Sequence, residues 1–163
     1  MSKKFTHRQL VKRTAEFLRK QRYTTVITEL TAAANNEIPD VIGFDYRGVS
    51  VLVECKTSRK DFLQDQNKDH RQRRSRGMGN LRYYAAPAGV IDCRDLPDGW
   101  GLLTIDEKYG YLEVNVSKMP AVFHDEQINK RGELAIVLSA LRRFQKISAA
   151  IYITESNQED IRK

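Results

Sequence analysis

Cysteine is scarce in this sequence. Cys55 and Cys93 are the only two, and neither belongs to a CxxC pair. Histidine is equally thin, with His7, His70 and His124 scattered along the chain. A structural zinc site takes about four Cys or His ligands at short spacings, so zinc is not expected. No run approaches the ~20 apolar residues that span a bilayer, and no membrane partner is expected. The start, Met-Ser-Lys-Lys-Phe-Thr-His-Arg, is basic but leads into no apolar stretch, which is not the pattern of a secretory signal. The expected location is cytoplasmic, where a disulfide would not persist. Internal repeats, low-complexity stretches and dividing linkers are also missing. The 163 residues suit a single domain over 1–163.

Positive charge is plentiful. The formal net charge is +7, with 40% apolar and 30% charged residues, which is a globular composition carrying a basic surplus. Such a surplus attracts polyanions, nucleic acid first among them.

Residues 7–20 read as a helix. Val11, Thr14, Ala15 and Leu18 recur at helical spacing, Leu10 and Phe17 widen the stripe, and Thr6 is placed to cap it. Residues 23–30 are β-branched and read as a strand, followed by a polar, alanine-rich link over 31–37. Residues 38–46 and 49–56 read as two strands joined at Arg47-Gly48. A polar helix follows over 60–74, broken by Gly77 and Gly79, and then a strand over 81–86 that Pro87 stops. A turn region at 92–99 leads to a peripheral pair of strands, 100–105 and 111–116. Residues 131–146 form an amphipathic helix with Leu134, Val137, Leu138, Leu141 and Phe144 on one face. After Ser148 come a β-prone Ile-Tyr-Ile-Thr and a charged end. The order predicts an α/β fold with a mixed central sheet and a C-terminal helix.

Strand alternation puts Ser50, Leu52, Glu54 and Lys56 on one face of the third strand, and Val51, Val53 and Cys55 on the other. Counting outward from the Arg47-Gly48 turn brings Asp40 level with Glu54 to Lys56. Two carboxylates and a lysine then meet at one end of the sheet. Two converging carboxylates suit a hard divalent cation such as Mg²⁺, which polarises a phosphate and lowers the pKa of a bound water. The lysine would stabilise charge developing on phosphorus or orient the attacking water. The chemistry is phosphodiester hydrolysis.

Pro39-Asp40, thirteen intervening residues and then Glu54-Cys55-Lys56 after an apolar strand resemble the PD-(D/E)XK nuclease superfamily. The order helix, three-stranded hairpin sheet, helix, strand over about 7–86 is similar to the restriction-endonuclease-like core of that superfamily. Residues 54–65, Glu-Cys-Lys-Thr-Ser-Arg-Lys-Asp-Phe-Leu-Gln-Asp, resemble the E-x-K-x-S-x-x-D-F-x-x-D stretch of MmcB-like DNA repair nucleases, as do Leu81-Arg82-Tyr83-Tyr84 and the segment Leu96 to Leu103. The resemblance implies a metal-dependent DNA endonuclease with Asp40, Glu54 and the Cys55 carbonyl as Mg²⁺ ligands and Lys56 as catalytic lysine. Mn²⁺ would substitute. Superfamily members often carry one more acid. Glu29, in phase with Thr25 and Ile27, adjoins the cluster, whereas Glu16 falls opposite the apolar stripe of its helix.

Residues 59–82 carry eight cations against three acids, most of the chain's surplus. Arg59, Lys60, Lys68, Arg71, Arg73, Arg74 and Arg76 are the candidate phosphate contacts, with Gly77 and Gly79 letting the loop move onto substrate. Asp61 either holds Lys56 or Arg59 or simply complements the helix dipole. Tyr83 and Tyr84 either stack on bases or belong to the core, and Trp100 reads as core. DNA is the expected partner, with RNA also compatible. Cutting both strands of a duplex would call for a homodimer, for which the sequence marks no interface.

Overall fold

The computed structural model describes residues 5–32, 37–73 and 77–148. Arg74, Arg76 and the Ile-Tyr-Ile-Thr segment lie outside the described residues. The elements run α1 (His7–Lys20), β1 (Thr25–Thr28), β2 (Val41–Phe44), β3 (Ser50–Cys55), α2 (Arg59–Gln66), α3 (Asp69–Gln72), β4 (Leu81–Pro87), β5 (Gly101–Lys108), β6 (Tyr111–Lys118) and α4 (Lys130–Ser148). The six strands form one mixed sheet in sequence order. β1–β2, β2–β3 and β5–β6 pair antiparallel, while β3–β4 and β4–β5 pair parallel. The α/β class and mixed sheet agree with the sequence pattern.

Both faces of β3 are buried, because the sheet has a layer on each side. Val51, Val53 and Cys55 pack under α1 with Leu10, Val11, Ala15 and Leu18. Leu52 faces the other way, towards Phe62 of α2, Tyr84, Trp100 and Ile136 of α4. Thr6 caps α1 through a reciprocal pair, its hydroxyl accepting from the Gln9 N–H at 3.3 Å and the Gln9 amide oxygen accepting from the Thr6 N–H at 2.8 Å. Among the described residues no helix is long and apolar enough to cross a membrane.

The expected elements differ from the observed ones in four places. The helix expected over 60–74 is broken at Asn67-Lys68, where Lys68 takes an extended conformation and restarts the chain as α3. The strand pair is not wholly peripheral, since β5 is interior, with Leu102, Leu103 and Ile105 buried, and only β6 is an edge. On α4 the stripe Leu134, Leu138, Leu141 and Phe144 points outward, and Ile136 faces the sheet instead. The cause is Glu133. Its buried Oε1 accepts from the Ser50 hydroxyl at 2.6 Å and the Gly79 N–H at 2.8 Å, which fixes the rotation of the helix. Gly77 and Gly79 are buried packing positions, not hinges. A Cβ on Gly79, whose φ is +92°, would sit 2.8 Å from the Leu52 Cβ, and one on Gly77 would sit 2.9 Å from the His70 carbonyl.

Candidate active site

The hairpin brings the three expected residues together. Val41 pairs with Val53, so Asp40 arrives level with Glu54. Asp40 Oδ2 accepts the Cys55 N–H at 2.7 Å, which ties the aspartate to the strand that carries the glutamate. Lys56 Nζ lies 3.3 Å from Glu54 Oε2. The Glu54 and Lys56 side chains are only 3% and 7% exposed, on a strand whose other residues form the core. The cluster sits at the carboxyl end of β3, beside the parallel strands β4 and β5. Ligand sites of α/β sheets favour that end.

Sequence reasoning missed much of what surrounds this trio. Asp65, not Asp61, holds the lysine, with Lys56 Nζ 3.1 Å from Asp65 Oδ1. Arg59 pairs with Asp95 at 2.8 Å. One signal was available. Phe62 marks the inward face of the otherwise polar α2, and Asp65 lies three residues on, where a helix returns to that face. Tyr84 donates its hydroxyl to Asp65 Oδ2 at 2.9 Å from full burial, stacked on Trp100 at 4.6 Å. Tyr83 is buried too. Neither tyrosine is presented for base stacking, and Trp100 is core as expected.

Arg71, expected among the phosphate-gripping cations, is instead turned into the cluster, with its side chain 2% exposed. Nε donates to Asp65 Oδ2 at 2.9 Å, Nη1 pairs with Glu37 and Nη2 lies 2.7 Å from Glu54 Oε1. The break at Asn67-Lys68 turns α3 so that Arg71 reaches inward. Arg82 is also buried, donating to the carbonyls of Gly79 and Gly77 at 3.1 and 3.0 Å. Arg59, Lys60, Lys68 and Arg73 remain on the surface, with Arg73 paired to Asp69 at 3.3 Å and Lys68 to Asp65 at 2.6 Å.

Burial governs the proton affinities. Burial, opposed by Arg71 and Lys56 and reinforced by Asp40, pushes the Glu54 carboxyl up to about 7. Asp65 moves the other way. Its burial is outweighed by Arg71 and Lys56, which hold it well below the usual carboxylate range. Burial also works against the charge of Lys56, but Glu54 and Asp65 outweigh it and keep the ammonium protonated above its ordinary value. Burial pushes the Cys55 thiol up, and it faces Thr14 at 3.8 Å on the opposite side of the strand, an inert packing position.

Glu29 does reach the cluster, through an intermediary. It directly follows β1 with a φ of +48°, unusual for a residue with a side chain, and its N–H donates to the Asp40 carbonyl at 3.1 Å. Its carboxylate is 54% exposed and lies 3.6 Å from His7 Nδ1, while His7 Nε2 lies 3.2 Å from Asp40 Oδ2. His7, the first residue of α1, lies in no motif that marks it in the sequence. Glu16 pairs with Arg13 on α1 at 2.8 Å.

Among the described residues no group of three or more His, Cys, Asp or Glu side chains is arranged to hold a metal ion. Asp40 and Glu54 are the available pair. Glu54 Oε1 is buried and makes no hydrogen bond, although the Arg71 charge lies beside it, so it retains the capacity to bind a cation. Mg²⁺ is commonly held by one or two carboxylates with water completing its shell. The residues fit a sparsely held Mg²⁺ and do not form a dedicated cage. No family model and no curated protein matches the chain. Among solved structures, it is similar to the SPO1766 protein of unknown function from Silicibacter pomeroyi, at 22% identity and a TM-score of 0.63, covering 93% of this chain and 99% of that one, a likeness of fold alone.

Proposed function

We propose that the protein is a Mg²⁺-dependent DNA endonuclease of the PD-(D/E)XK type, similar to MmcB-like repair nucleases and built on a restriction-endonuclease-like core. The observation that carries this reading is the convergence of Asp40, Glu54 and Lys56 at the carboxyl end of β3, with Asp40 fixed by the Cys55 N–H. Mg²⁺ held by Asp40 and Glu54, with the Cys55 carbonyl as the further ligand that the resemblance implies, would supply Lewis-acid polarisation of the scissile phosphate and a more acidic water. Lys56 keeps its proton because Glu54 and Asp65 flank it, so it presents a fixed positive charge to a phosphate as negative charge builds up. Asp65 positions that lysine and is itself held by Tyr84 and Lys68. His7 and Glu29 stand at the open edge of the cluster, where they orient Asp40. The exposed Arg59, Lys60, Lys68 and Arg73 would meet the DNA backbone beside the site.

The test is a cleavage panel over plasmid, linear duplex, single strand, flap and four-way junction, with Mg²⁺, Mn²⁺ or EDTA. Cleavage of at least one form is expected with either metal and none in EDTA. Asp40→Asn and Lys56→Ala should each lower the rate by about 10²–10³-fold or more. A clean wild-type preparation that cuts none of these forms overturns the reading. One observation favours a second reading, a nucleic-acid-binding module without catalysis: Arg71 already answers the charge of Glu54. That module would bind DNA in a salt-sensitive way, and Asp40→Asn would leave binding intact.

A further inference from the structure

The proposed chemistry leaves Arg71 and its partner Glu37 without a task. The anchoring of Arg71 is uneven. Nε donates to Asp65 Oδ2 at 2.9 Å and Nη1 to Glu37. Those two carboxylates are themselves fixed, Glu37 by the Met78 N–H at 2.9 Å and Asp65 by the Tyr84 hydroxyl at 2.9 Å. The Trp100 ring lies 5.0 Å below the guanidinium. The third contact differs in kind. Nη2 and Glu54 Oε1 lie 2.7 Å apart, both fully buried, yet neither atom makes a hydrogen bond. Two carboxylates hold Arg71, and it lends its charge to a third.

Charge counting shows what this does. With Glu54 ionised, the ion pairs set Glu37, Glu54 and Asp65 against Lys56, Lys68 and Arg71, three negative groups and three positive. A dication drawn in by Asp40 and Glu54 brings two positive charges, and Asp40 supplies one more negative charge to meet them. In a buried setting like charges repel strongly at these separations. Of the three contacts of Arg71, the one that yields is the one without hydrogen-bond geometry. Glu54 can turn to the metal while Arg71 stays on Glu37 and Asp65.

Resting on the metal reading given above, we propose that Arg71 is an internal counter-cation that competes with the divalent ion for Glu54 and so sets the metal concentration the site requires. A purely structural Arg71 would only support the fold, and its loss would leave metal affinity unchanged or weaker. The test is calorimetric titration of the full chain with Mn²⁺. It compares wild type, Arg71→Lys, Arg71→Gln and the pair Glu37→Gln/Arg71→Gln, which spares Glu37 from being left buried without its partner. Circular dichroism melts establish which variants fold. Mn²⁺ should bind at least tenfold tighter to Arg71→Gln and to the pair, and less than tenfold tighter to Arg71→Lys. Adding Asp40→Asn should abolish the gain, since the ion then lacks its second ligand. The proposal fails if wild type binds Mn²⁺ and the folded variants bind it no more tightly, or if the gain survives Asp40→Asn. Absence of Mn²⁺ binding in wild type and variants alike overturns the metal reading along with it.

Discussion

Glu54 lies between Asp40 and Arg71 with no access to water, and burial wins, carrying its carboxyl up to about 7 from an ordinary 4.5. Folding therefore raises its proton affinity. Its contribution to stability is full below about 4.5 and is lost as pH rises through about 7. Asp65, held low despite burial by Arg71 and Lys56, runs the other way. Its contribution is present above the ordinary aspartate range and is lost only in strong acid. His70, whose burial lowers its pKa, gains stability as pH rises towards its ordinary 6.5, so over that range it opposes the Glu54 slope. The informative quantity is therefore a difference. In EDTA, the melting temperature of wild type relative to Glu54→Gln should fall between pH 5 and pH 7.5. Parallel curves would show that Glu54 ionises at its ordinary value and that Arg71 compensates it fully.

At the scale of elements, the trio Asp40, Glu54 and Lys56 was legible because everything that places it is local. An alternating strand, a tight turn and a short count along one hairpin bring the three together, and the observed β3 differs from the expected strand by a single residue at each end. Arg71 and Glu37 were not legible. Charged residues in a polar stretch read as surface, and only the break at Asn67-Lys68, with carboxylates on three other segments, makes one of them a core group. α4 went the same way. Its sequence carries an apolar stripe, but the helix is turned by Glu133 reaching Ser50, 83 residues away in sequence. A periodicity argument contains nothing about that partner. This yields a measurable contrast. Ile136→Ala should cost about 2–5 kcal/mol in denaturant unfolding, as a large-to-small change in a closed core. Leu134→Gln, at a position 58% exposed, should stay within about 0.5 kcal/mol. Reversed costs would mean that the stripe, and not Ile136, faces the sheet.

For the whole molecule, the surplus of +7 would, under the proposed function, serve encounter with a polyanion, and burial limits which charges are exposed to do so. Arg71 and Arg82 spend theirs inside, on carboxylates and carbonyls. Lys60 on α2 and Arg73 just past α3 stay outside, on the segment that crosses from β3 to β4, while Lys56 waits at the carboxyl end of β3. Under the proposed function, binding and chemistry would fall to different cations, and a salt titration separates them. With metal replaced by EDTA, the logarithm of the DNA association constant should fall linearly with the logarithm of salt concentration. Lys60→Ala and Arg73→Ala should each reduce that slope by about 0.9 on duplex DNA, one phosphate contact apiece. Lys56→Ala should leave the slope nearly unchanged while removing cleavage, because a buried ammonium paired to Glu54 and Asp65 displaces few counterions from the duplex. If Lys56→Ala instead flattened the slope as much as the surface variants, the lysine would be a docking charge, and the division of labour between the crossing helices and β3 would be wrong.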